Sequence, residues 1–153
     1  MKRLGKHELN LIGIVFGVLA TLMILFPAVS SGDANTGYTG IQVSFGHEFV
    51  NLGGFASGQI KFSLLNLLAY LLPLTAAVLW LFNIKNQFIP TLVLLVATVL
   101  LFLVPEFTTT TVTVLGNINP VDIQWSYDIG LLNAIVFSIM GMFYGILRIY
   151  HKV

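Results

Sequence analysis

The sequence predicts an all-α membrane protein: a bundle of four transmembrane helices carrying a small extracytoplasmic antiparallel β-sheet formed by its two outer loops. Three observations point there. First, 57% of the 153 residues are hydrophobic and only 8% are charged, against about 25% charged in an ordinary soluble domain. The chain has too few charges to cover itself with a solvated surface, and its mean hydropathy of +0.93 agrees. Second, four stretches approach the roughly 20 predominantly apolar residues needed to cross a hydrocarbon core. Third, the two longest intervening segments are rich in turn and β-branched residues. The length suits one domain of four spans and two modest loops.

The spans read as about 9–29, 64–82, 88–104 and 129–149, and none carries Lys, Arg, Asp or Glu in its interior. Lys2, Arg3 and Lys6 precede the first span, Lys85 lies between the second and third, and Arg148 and Lys152 close the fourth; Lys61 alone falls on the other side. Basic residues near span ends favour the cytoplasm, so both termini are expected inside and loops 30–63 and 105–128 outside. The first span has a basic start and an Ala28-Val29-Ser30 site, as a signal peptide has. Its apolar stretch exceeds the usual ~7–15 residues, so it reads as a retained span.

In the first outer loop, a turn-rich run from Ser30 precedes Tyr38–Phe45, whose alternation reads as a strand. Gly53-Gly54 reads as a turn and Gln59–Phe62 as a returning strand. In the second, Phe107–Leu115 is dense in β-branched residues and reads as a strand, Asn117–Pro120 as a turn and Val121–Trp125 as its return. Together they predict one small sheet resting on the outer helix ends, because an isolated hairpin is marginal in water.

Small residues let transmembrane backbones approach. Gly13 and Gly17 lie on one face of the first helix, and Ala134, Ser138, Gly141 and Gly145 on one face of the fourth. The leading expectation is that these faces pack the first helix on the fourth; the alternative is a lipid-facing stripe that recruits a partner. Pro73 falls mid-span and should kink the second helix.

Ion pumps, proton-coupled carriers and voltage sensors need ionisable groups within the membrane, and the four spans offer none. Asn66, Tyr70, Thr75 and Asn133 are the polar groups that could line a shallow outward pocket; the leading reading is hydrogen-bonded glue between helices. His47-Glu48, with Asp33, is the one set resembling a metal or surface-catalytic site, but His47-Glu-Phe-Val-Asn51 lacks the second histidine of H-E-x-x-H. The chain has no cysteine, hence no thiolate ligands or disulfides. No P-loop, nucleophile elbow or G-x-G-x-x-G appears. The residues therefore assign no catalytic group, metal or cofactor, and a net charge of +1 gives no field for nucleic acid.

The topology of four helices, internal termini, a longer first and a shorter second outer loop and strands in both resembles the claudin-like tetraspan membrane proteins. The resemblance covers most of the chain at the level of topology. The family's Trp…Gly-Leu-Trp…Cys…Cys signature is absent from the first loop, where Asn51-Leu-Gly-Gly-Phe55 stands instead, so no site residue is carried over. The function expected is non-enzymatic: a multi-pass cell-membrane protein, bacterial in character, that works by protein–protein interaction as adaptor, accessory subunit or self-assembling envelope protein. Its expected partners are membrane lipids and a second copy or another membrane protein. The alternative is an oligomeric channel or a carrier for a small apolar or lipid substrate.

Overall fold

The computed structural model describes residues 6–32, 36–53, 55–82 and 86–151. Helix α1 (Lys6–Leu22) runs into a 3-10 turn at Met23–Leu25 and stops at Phe26, which is extended. Pro27, with its fixed φ and no N–H, opens strand β1 (Pro27–Ser31) instead of another helical turn. Strand β2 (Gly37–Thr39) leads into α2 (Gly40–Phe45). Strands β3 (His47–Asn51) and β4 (Ala56–Ile60) form a hairpin, followed by α3 (Leu64–Leu81), α4 (Phe88–Phe102) and α5 (Val104–Phe107). Strands β5 (Thr110–Val114), β6 (Asn117–Val121) and β7 (Trp125–Tyr127) precede α6 (Ile129–His151).

The class is mixed α/β, with 60% helix and 23% strand, and this corrects the all-α expectation. The outer segments form two antiparallel sheets rather than one: β2-β1-β7 and β3-β4-β5-β6. The expectation of four membrane-crossing helices is corrected too. Among the described residues, two helices are long and apolar enough to cross a membrane, Leu64–Leu81 and Ile129–Tyr150. The reason is length. Hydropathy carries the first apolar stretch on through residue 29, but the chain is already a strand from Pro27. The fifteen residues of α4 rise only ~22 Å, short of a hydrocarbon core of about 30 Å.

Local chemistry also overturns several loop readings. Tyr38–Phe45 is mostly helix, because Thr39 and Gln42 form a capping box: Gln42 N donates to Thr39 Oγ1 at 3.3 Å and Thr39 N to Gln42 Oε1 at 2.9 Å. Asn117–Pro120 lies in strand β6; the turn falls one step earlier, at Leu115-Gly116, and Pro120 is tolerated because β6 is an edge. Trp125 belongs to β7, which pairs with β1. Gly54, Asp33, Lys2, Arg3, Lys85 and Lys152 lie outside the described residues, and so does the side chain of Lys6.

The long helices pack in a ring in which α1 meets α3, α3 meets α4, α4 meets α6 and α6 meets α1. One core cluster, including Val29, Val43, Tyr70, Leu101, Val104 and Leu131, lies where this ring meets β1 and α2. A second, of Ala76, Trp80 and Leu94, lies deeper along the helices. Strands β3–β6 pack on one another rather than on the long helices.

Candidate functional site

The glycine faces are occupied within the chain, though not as expected. A Cβ on Gly13 would sit 2.6 Å from the Trp80 ring, and one on Gly17 would sit 2.6 Å from the Pro73 carbonyl oxygen and 2.9 Å from Ala77 Cβ. The α1 glycines thus seat α3. On α6, a Cβ on Gly141 would meet Leu94 of α4 at 2.9 Å and Phe16 of α1 at 3.3 Å, and one on Gly145 would overlap Thr91, so the pair seats α4 while Gly141 also borders α1, on which α6 packs as expected. Thr98 Oγ1 donates to the Leu94 carbonyl at 2.8 Å and accepts from Ser138 Oγ at 2.8 Å, closing the same α4–α6 seam. Ala134 is fully buried in the first core cluster.

The four residues read as a polar pocket divide into two pairs. Asn66 and Tyr70 are fully buried, one helical turn apart on α3. Ser63 caps the helix by accepting from Asn66 N at 3.3 Å. The Asn66 amide donates to the Val43 carbonyl at 3.3 Å and to Thr108 Oγ1 at 3.1 Å, tying α3 to α2 and to the segment after α5. Asn66 Oδ1, Tyr70 Oη and Ser44 Oγ are buried with no hydrogen-bond partner among the described residues. Thr75 and Asn133, by contrast, are exposed. The Thr75 hydroxyl is satisfied by its own helix, donating to Leu72 O at 2.7 Å. Asn133 has no such bond: it stands on the outer face of α6 among exposed Ile129, Leu132 and Val136, and its amide is unpaired within the described residues.

The His47-Glu48 pair does not assemble into a metal or catalytic set. Glu48 Oε1 accepts from Asn51 Nδ2 at 2.9 Å, the His47 ring lies 6.0 Å from that of Tyr38, and Asp33 lies outside the described residues. Among the described residues no three His, Cys, Asp or Glu side chains gather as metal ligands. Two open clefts flank the sheets. The larger, of about 750 Å³, is lined by Pro105–Glu106, Thr108–Thr110 and Pro120–Trp125; the smaller, of about 330 Å³, by Phe45–Glu48 and Gln59–Phe62.

Two features escaped sequence reasoning. Arg148 does not simply close a span: it is 6% exposed, and its guanidinium donates to Asn10 Oδ1, bolting the end of α6 to the start of α1. Beside it, Trp80 Nε1 donates to Gln87 Oε1 at 3.1 Å and the Trp80 ring meets Tyr144 edge-on. The second feature is the far end of the larger sheet. There Leu52, Phe55, Leu115 and Ile118 are 63–73% exposed, and Leu115 holds a positive φ of 50°. Long-range partners and backbone sign leave no local trace in composition; the Leu-Gly pair at 115–116 was the available signal for a tight hairpin.

No protein-family model matches the chain, and no curated protein or solved structure resembles it significantly.

Proposed function

We propose that the chain is a non-enzymatic membrane-held interaction protein that associates through the outer face of α6. The single observation that carries this reading is Asn133. An amide among exposed Ile129, Leu132 and Val136 has no partner among the described residues, and an amide on an apolar helix face can hydrogen-bond to a neighbouring helix in lipid, a contact worth about 0.6–2 kcal/mol. The helices fit that setting. Leu64–Leu81 and Ile129–Tyr150 have mean hydropathies of 2.0 and 1.9, and only 39% of each window is covered by the rest of the protein. Phe88–Phe102, though shorter, also exposes Leu92, Leu95, Val96 and Val99. Water is a poor solvent for such a girdle, and a bilayer a good one.

A second copy is the simplest partner. An amide is donor and acceptor at once, so two Asn133 residues across a twofold axis satisfy each other. The glycine faces are not available for this, because α3 and α4 fill them. The sheets then lie on the extracytoplasmic side, and the α6 end bearing Arg148 on the cytoplasmic side, by the basic-residue rule. Native mass measured in lipid nanodiscs tests the proposal: the wild type should run as a defined oligomer, and Asn133→Leu should run as a monomer with unchanged thermal stability. A wild-type monomer, or an oligomer indifferent to the substitution, rules it out.

A further inference from the structure

The four-stranded sheet ends in two turns set side by side. Val114 pairs with Asn117, so Leu115 and Gly116, with φ of 50° and 83°, form a two-residue hairpin of the kind that usually takes Asn-Gly. The neighbouring turn joins Asn51 to Ala56. Ala56 faces Val114 in the ladder, and Leu115 N donates to Phe55 O at 2.9 Å, which locks the two turns together. The result is a tip at which Leu52, Phe55, Leu115 and Ile118 are all exposed. Among the described residues, nothing lies within 4 Å of where a side chain at Gly53 or Gly116 would stand. A leucine is costly at positive φ, where glycine or asparagine is at ease. Here it spends that strain to hold an apolar side chain in the open.

We infer that this tip is a docking element for a lipid surface, one whose lipids need not be anionic. Charge is the first argument. No charged residue occurs between Glu48 and Lys61, nor between Glu106 and Asp122, so the two turns and strands β4, β5 and β6 carry no charge to desolvate, and Glu48 lies on β3 three residues before Asn51. The rim is neutral and hydrogen-bonding, with Asn51, Ser57, Thr113, Asn117 and Asn119, which suits the headgroup layer above an inserted apolar cap. Size is the second. Four side chains bury roughly several hundred Å² at most, against about 1,200 Å² or more for a stable protein interface. A bilayer needs no such area. Reach is the third. The tip lies at the end of the β4–β5 ladder opposite its junctions with α3 and α5, and five residues of strand span ~17 Å. Resting on the membrane-held reading of the helices, the tip therefore addresses a second lipid surface, not the one that holds α3.

The test uses the full chain in nanodiscs, mixed with phosphatidylcholine vesicles and separated by flotation. Wild-type discs should float with the vesicles while empty discs stay behind, with little response to added salt or anionic lipid. Leu115→Gly keeps the turn, because glycine accepts this φ, and should weaken vesicle binding about tenfold or more; Phe55→Ser should act in the same direction. Asn133→Leu should float as wild type does, so loss of oligomerisation and loss of docking are read separately. A chain that stays soluble without detergent would remove the membrane-held reading and leave the tip to be measured on vesicles directly. The inference is overturned if wild-type discs do not float, if flotation is indifferent to both tip variants, or if discs pair with one another without vesicles, which would make a second copy the occupant.

Discussion

The helical body and the four-stranded sheet are both poor in charge, yet they use apolar residues in opposite ways. In the body, side chains are removed where helices meet: Gly13 and Gly17 let α1 onto α3, and Gly141 and Gly145 let α6 onto α4. The polar groups there are turned inward, as in the Thr98–Ser138 pair and the Asn66 amide. In the sheet, large apolar side chains are kept where none of the described residues covers them, one of them on a left-handed backbone. Apolar composition alone therefore does not say which surfaces serve the fold and which serve a partner. Backbone proximity does.

That contrast can be broken most sharply at the glycines. Gly17→Val drives a side chain into the Pro73 carbonyl and Ala77, and should cost about 1–3 kcal/mol or more, as overpacking does. Gly145→Val should act likewise through Thr91. Thermal unfolding in detergent measures both, and the same change at exposed Gly53, although its φ of 59° disfavours a branched residue, involves no such collision. Next comes the buried amide. Asn66→Leu strips the donor from the Val43 carbonyl and from Thr108, at a cost of roughly 1–3 kcal/mol. Tyr70→Phe sharpens the point by going the other way: its hydroxyl is buried without a protein partner, so removing it should be neutral or stabilising by about 1 kcal/mol. The smallest effect is at the tip, where Leu115→Gly trades relief of left-handed strain against glycine's greater freedom in the unfolded chain. It should move stability by no more than about 1 kcal/mol either way while changing vesicle binding.

Much of the helical layout was legible, because runs such as Leu64–Leu81 and Ile129–Tyr150 are long and apolar throughout. The β-branched run at Thr110–Val114 likewise announced its strand. What failed did so for physical reasons. Hydropathy counts apolar residues whatever their backbone, so it carried the first helix through Pro27 into β1 and overstated the reach of α4. Alternation at Tyr38–Phe45 was outweighed by a capping box that nucleates α2. The small-residue faces were visible, and α1 does pack on α6, but the closest approaches at the glycines are to other helices, Gly13 and Gly17 against α3 and Gly145 against α4, a choice that depends on three-dimensional order. The four polar residues read mainly as interhelical glue do not act as one set: helical spacing sends Asn66 and Tyr70 inward, where the Asn66 amide ties α3 to α2 and Thr108, and Thr75 outward, while Asn133 faces outward on α6. The Arg148–Asn10 bond spans 138 positions and could not be seen locally.

The central claim is that the α6 face around Asn133 meets a second copy. Because the chain has no cysteine, Val136→Cys introduces the sole thiol on the exposed α6 face while leaving the Asn133 amide in place, and mild oxidation in native membranes reports directly on whether two such faces meet. An efficient disulfide-linked dimer is expected at position 136 and none from Val96→Cys on the exposed face of α4. A monomer at position 136, or equal cross-linking at both positions, would contradict it.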